Sequence, residues 1–167
     1  MAEDTEPEAK WEGKASAELK GPRAEQVWPL LEDFCNLHKV LPSIDTCYQL
    51  EVPKEYGLIR YCAASTSSSS SLGEESIKWA KEKLLSIDPI KRSLSYEVLD
   101  NNVGIKSYVA VIKVLPINGD EEQGCQIEWS FVADPIEGWR SEDFFSYIDN
   151  SLQCMAKKID ETLQSTE

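Results

Sequence analysis

The chain has almost no histidine: His38 is the only one among 167 residues. A histidine-based catalytic triad could therefore use no other residue. Zinc sites built on paired histidines are excluded. Cysteine is sparse and scattered. Cys35, Cys47, Cys62, Cys125 and Cys154 are odd in number and form no Cys-x-x-Cys. They read as small apolar fillers of a reduced interior, not as a disulfide framework or a metal site. We expect no metal and no organic cofactor. Positive charge is also short, with 17 Lys and Arg against 30 Asp and Glu, a net charge of −13. Such a surface repels phosphate backbones and anionic headgroups, so neither nucleic acid nor membrane is an expected partner. No apolar run is long enough to span a bilayer. The first residues are acidic and lack the apolar stretch of a secretory leader, so a cytoplasmic location is expected.

Apolar residues make up 41% of the chain, enough for one packed interior. We expect a disordered acidic tail over residues 1–10 and a single domain over residues 11–167. Residues 11–20 alternate loosely and read as a first strand, which Gly21-Pro22 ends. Val27, Leu30, Leu31 and Phe34 have helical spacing, and Pro29 within that run predicts a kinked or short helix. A second short helix is expected over residues 35–40, stopping before Pro42.

Six strand patterns follow, over residues 44–52, 58–64, 75–87, 93–99, 105–115 and 125–133. Their separators include Asp88-Pro89, Asn101-Asn102-Val103-Gly104 and Asn118-Gly119. The last is a tight-turn signal, although the polar residues after it point to a longer loop. In residues 75–87 the apolar positions also fit a helix, and the surrounding strands decide for a strand. Cys125, Ile127, Trp129, Phe131 and Ala133 share one face of the last strand. A long helix is expected over residues 141–163, with Ser141 as its N-cap. Its apolar stripe runs through Phe144, Phe145, Ile148, Leu152, Met155, Ile159 and Leu163.

The element order is thus strand, two short helices, six strands and a long helix. This is an α+β architecture in which a seven-stranded antiparallel sheet must curve around the terminal helix. A sheet gripping one helix leaves room for a ligand-sized cavity at its open end.

That order resembles the helix-grip fold of the Bet v 1-like, START-type polyketide cyclase superfamily. Six runs carry a closer resemblance: Lys10-Trp11-Glu12-Gly13-Lys14, Asn36-Leu37-His38-Lys39-Val40-Leu41-Pro42-Ser43, Ile59-Arg60-Tyr61, Trp79-Ala80-Lys81-Glu82-Lys83, Glu128-Trp129-Ser130-Phe131 and Ile136-Glu137-Gly138. Together they look like the lachrymatory factor synthase family of plants, from Lys10 onward. The resemblance implies a cofactor-free rearrangement of an alkenyl sulfenic acid to a thial S-oxide. It implies catalytic roles for Arg60 and Glu82, and a cavity lined by Tyr96, Tyr108, Trp129 and Phe131.

This sequence departs from the family at Lys78, where an aromatic residue is usual, and near Ser151, where the family's long helix carries a tryptophan. The serine run over residues 65–71 differs too, and reads as a flexible loop or a lid over the cavity. The departures fall on the cavity wall and mouth, so they bear on substrate more than on fold.

The chemistry is coherent. A cavity arginine can hold a developing oxyanion through its fixed fork of donors. A carboxylate within reach can move a proton from oxygen to carbon. The plain alternative is that Arg60 and Glu82 form a structural ion pair among core aromatics. Two activities are therefore expected: binding of a small apolar or sulfur-containing metabolite, or proton-transfer isomerisation. A hormone receptor resembling the abscisic acid receptors ranks below both, because neither a Ser-Gly-Leu-Pro gate nor a His-Arg-Leu latch occurs, and His38 is followed by Lys39.

Overall fold

The computed structural model describes residues 10–67 and 75–164. Residues 1–9 of the expected tail and most of the serine run lie outside the described residues, while Lys10 is described and pairs with Asp134 at 3.0 Å. Strand β1 spans Trp11–Leu19, followed by helix α1 (Ala24–Glu32) and a 3₁₀ helix (Phe34–Lys39). Strands β2 (Thr46–Gln49), β3 (Ile59–Ser67), β4 (Glu75–Asp88), β5 (Ser93–Asn101), β6 (Val109–Ile117) and β7 (Asp120–Ala133) come next, and helix α2 (Ser141–Gln164) is the last described element. All seven strands join one antiparallel sheet in the order β1-β7-β6-β5-β4-β3-β2. The two edge strands are therefore consecutive in sequence. The segment between them, with α1 and the 3₁₀ helix, must cross from one edge of the sheet to the other.

Helix α2 buries Phe144, Ile148, Leu152, Met155, Ala156 and Ile159. These positions recur every three to four residues and form a single stripe. Removing each large one from water is worth about 2 kcal/mol, which fixes the helix against the sheet. Its partners include Ala15, Ala17, Ile127, Trp129 and Phe131, the inward residues of β1 and β7. Gly13 lets β1, β7 and α2 approach closely. A Cβ there would lie 2.8 Å from the Phe131 ring and 3.1 Å from that of Phe145.

The fold is the expected one, with corrections at the element ends. Arg140, not Ser141, caps α2: its carbonyl accepts from the Phe144 N–H, and Asp143 accepts the Arg140 backbone N–H over 3.0 Å. Asp143 thus makes the return half of a capping box, taking the cap residue's own N–H, whereas a serine cap would accept an N–H from the first turn. The second short helix is 3₁₀, with Asn36 at φ −120° breaking its regularity. Strand β2 covers only Thr46–Gln49, not residues 44–52.

Strand β6 begins at Val109, not at residue 105. The side chain of Asn101 accepts the N–H groups of Val103 and Ile105 and so holds a loop there. Asn118 (φ 54°) and Gly119 (φ 73°) make a two-residue turn, not a longer loop. The extra residues lengthen β7, whose register to β6 jumps between Pro116 and Ile117. Two further register shifts, at Lys81/Glu82 and Leu84/Ser86, flank Glu82 in the β4–β5 pair. Such irregularities bend strands, and these sit where the sheet faces the cavity.

Candidate functional site

A cavity of about 610 Å³ opens between the concave face of the sheet, the crossing helices and α2. Its wall is mostly apolar. Of the residues singled out above, Arg60, Glu82, Tyr96, Tyr108, Trp129, Lys78 and Ser151 contribute to the wall. Phe131 does not. It lies behind the wall, stacked on Tyr108 at 6.2 Å and edge-on to Phe144 at 5.0 Å. Phe144, in the first turn of α2, packs against it and itself lines the cavity. Lys78 is exposed, and Ser151 donates its hydroxyl to the Tyr147 carbonyl over 2.9 Å.

Arg60 is the centre of the site, only 4% exposed. It stands directly opposite Glu82 in the β3–β4 register. Its Nε donates to Glu82 Oε1 over 2.8 Å, and its Nη2 lies 2.7 Å from the same oxygen. Nη1 donates to the Phe34 carbonyl over 2.7 Å. The guanidinium carbon sits 3.8 Å from the Phe34 ring centre and 5.0 Å from that of Tyr96. A lone buried guanidinium would be costly, and these contacts offset that cost. Burial is the largest single influence and works against the charge, but the Glu82 carboxylate, with smaller contributions from Cys62 and Tyr96, outweighs it and holds the Arg60 pKa above its ordinary value.

A guanidinium carries five N–H donors. One N–H on each terminal nitrogen of Arg60 has no acceptor among the described residues. Glu82 Oε2 likewise receives no hydrogen bond from a described residue. The pair is therefore tied together on one side and uncommitted on the other.

A second polar chain runs through the wall. Trp129 Nε1 donates to Tyr108 Oη over 3.0 Å, and Tyr108 Oη lies 3.1 Å from Tyr96 Oη. Burial pushes the hydroxyl protons of both tyrosines up. Both stay protonated at neutral pH and can donate. Phe34 was missed from sequence, because its contribution is a backbone carbonyl and a ring in what reads as an ordinary apolar helix position. Cys62, a small apolar filler by sequence, lines the cavity beside Arg60.

Among the described residues, no cluster of three or more His, Cys, Asp or Glu could hold a metal. No helix among them is long and apolar enough to cross a membrane. A model of the polyketide cyclase / dehydrase and lipid transport family matches residues 11–164. The chain belongs to that family. Solved structures agree with this polyketide cyclase-type fold. The protein XoxI from Bacillus cereus superposes with a TM-score of 0.69 at 21% identity, covering 90% of this chain and 94% of that one. An uncharacterised protein from Bacillus thuringiensis gives 0.68 at 20% identity, covering 90% and 97%. A Thermobifida fusca protein gives 0.64 at 22%, covering 90% and 93%. At such identities the likeness establishes the fold.

Proposed function

We propose that this polyketide cyclase-type domain binds a small, mostly apolar metabolite that carries one oxygen acceptor. The observation that carries the reading is the pair of unclaimed Arg60 N–H groups on the wall of a mostly apolar cavity. An apolar ligand body gains from leaving water, while one acceptor at Arg60 fixes its orientation. The test is thermal unfolding with a panel of small sulfoxides, ketones and hydrocarbons of matched size. Oxygen-bearing members should raise the melting temperature more than hydrocarbons do, and Arg60→Lys should erase that preference. No rise with any compound, together with no bound species by native mass spectrometry, refutes the reading.

The uncommitted Oε2 of Glu82 favours a second reading, a cofactor-free isomerase resembling lachrymatory factor synthase. The carboxylate would take the sulfenic O–H proton and return it to carbon, while Arg60 holds the oxygen as charge develops there. The substrate is rearranged with no atom gained or lost. Sulfenic acid generated enzymatically in the presence of the protein, with thial S-oxide as the readout, tests this. Equal product from wild type and Glu82→Gln would eliminate Glu82 as the base. Lys78 and Ser151 change the wall where the family carries aromatic rings, so turnover of that one substrate should be low.

A further inference from the structure

Cys47 on β2 and Cys62 on β3 stand directly opposite each other. The Leu50 N–H donates to the Ile59 carbonyl, which marks those two as a hydrogen-bonded pair of the antiparallel ladder. Such pairs alternate with pairs that share no backbone bond, so Cys47 and Cys62 form one of the latter. At these positions the Cα atoms lie about 4.5 Å apart and the side chains lean together. A disulfide accepts a Cα separation of about 4.4–6.8 Å. The two sulfurs are 3.5 Å apart and buried, and both are free thiols. A change of side-chain rotamer therefore suffices to close the bond, with no movement of the strands.

Three further features make the pair more than filler. Cys62 lines the cavity, two residues from Arg60 on the same strand face. Strand β2 is a four-residue edge strand, held to the sheet only through β3. The hydrogen bond from Cys62 pulls the Cys47 thiol down to about 6, with smaller contributions from the Leu37 backbone, the Arg60 charge and His38. The same bond, together with burial, pushes the Cys62 thiol up. Loss of one proton from the pair would leave the other in the hydrogen bond between the two sulfurs.

We propose that Cys47 and Cys62 are a redox pair, which an organic hydroperoxide entering the cavity oxidises to a disulfide that staples β2 to β3 beside Arg60. The wall is mostly apolar and the sulfurs are buried, which admits a small alkyl hydroperoxide and excludes a bulky polar oxidant such as oxidised glutathione. The shared proton can sit on either sulfur. At rest the charge favours Cys47; transfer of the shared proton from Cys62 to Cys47 moves it to Cys62, the one of the two that lines the cavity. The Cys62 thiolate attacks the distal peroxide oxygen, so an S–O bond forms and the O–O bond breaks. The departing alkoxide takes the Cys47 proton and leaves as the alcohol. The Cys47 thiolate then attacks the Cys62 sulfur and expels hydroxide, which recovers as water the proton first released. Two thiols and one hydroperoxide give one disulfide, one alcohol and one water, with two electrons passing from sulfur to peroxide.

The experiment uses the reduced full chain and one equivalent of tert-butyl hydroperoxide. Remaining thiols are then alkylated in denaturant, and peptides are mapped by mass. Of the five cysteines, three should remain alkylated. The peptides holding Cys47 and Cys62 should be linked, and dithiothreitol should reverse the link. The oxidised protein should melt at a higher temperature than the reduced one. Cys47→Ser should instead stop at a Cys62 sulfenic acid that dimedone traps. Five alkylated cysteines in the wild type, or a link through Cys35 or Cys154, overturns the proposal whether or not the variant folds. Oxidation by oxidised glutathione at an equal rate overturns the assignment of a cavity-borne hydroperoxide.

Discussion

Trp129 donates its indole N–H to the hydroxyl oxygen of Tyr108, and that oxygen is also the neighbour of the Tyr96 hydroxyl. Tyr108 is the middle member of a chain of three, so its oxygen serves two partners while Tyr96 serves one. The three side chains come from β5, the residue before β6, and β7, so the chain ties three adjacent parts of the sheet together at the cavity wall.

Removing the central hydroxyl should therefore cost more than removing a terminal one. Tyr108→Phe leaves the buried Trp129 N–H without its acceptor and the Tyr96 hydroxyl without its neighbour. An unsatisfied buried donor costs about 1–3 kcal/mol, so a loss of about 2 kcal/mol is expected. Tyr96→Phe leaves the Trp129 bond intact and should cost about 1 kcal/mol. Urea denaturation of both variants checks the order, and equal losses would show that the chain is not a connected unit.

The Arg60–Glu82 pair should be hard to break and easy to replace. Arg60→Met strands the carboxylate without its donors, at a cost of about 3 kcal/mol. The double variant Arg60→Met with Glu82→Leu exchanges both charges for apolar groups and should recover most of that loss. Both variants should lose the preference for oxygen-bearing ligands. The decisive measurement is the urea midpoint of the double variant relative to the single one. A double variant no more stable than the single would mean that a stranded carboxylate is not what destabilises Arg60→Met.

The periodic elements were legible in the sequence, because side-chain period follows directly from backbone geometry. The α2 stripe and the inward face of β7 are of this kind: the β7 face is buried throughout, while in α2 Phe145 turns out to solvent and Leu163 is only partly covered, because the stripe is narrower than the apolar pattern. The same period puts Arg60 on one face with Cys62, and Glu82 with Ala80, but that this face is the cavity wall came only from the family resemblance and the structure. The position of Arg60 opposite Glu82 was not legible, since strand register is set by pairing across residues distant in sequence. The same blindness hid Cys47 against Cys62. Ile105 shows a different limit: it packs against the core from a loop that Asn101 holds by hydrogen bonds, so an apolar residue in the right place was mistaken for the start of a strand.

Two glycines should resist even a methyl group, for separable reasons. At Gly13 the backbone is ordinary, but a Cβ would sit 2.8 Å from the pinned Phe131 ring. Gly13→Ala should cost about 2 kcal/mol by overpacking. Gly124 has φ +98°, and a Cβ there would collide with the backbone carbonyl of Leu19, which cannot rotate away. Gly124→Ala combines backbone strain with a backbone clash and should cost about 4 kcal/mol. Chemical denaturation ranks the two. Neutrality at Gly124 would contradict the irregular β7 backbone described above.

Alkali should destabilise the domain through its buried tyrosines. Burial holds the Tyr96 and Tyr108 protons above the value of a free tyrosine. In the unfolded chain such hydroxyls ionise near about pH 10. Above that pH the unfolded state gives up protons that the folded state keeps, so the equilibrium moves toward unfolding. The stability from these two groups is whole below about pH 10 and is lost as pH climbs toward their raised folded values. Each retained proton steepens the fall by about 1.4 kcal/mol per pH unit. The urea midpoint of the wild type should therefore drop faster between about pH 10 and about pH 11 than that of the double Tyr96→Phe, Tyr108→Phe variant. Parallel pH profiles would mean that the two hydroxyls ionise as readily in the folded protein as in water, which their burial at the cavity wall forbids.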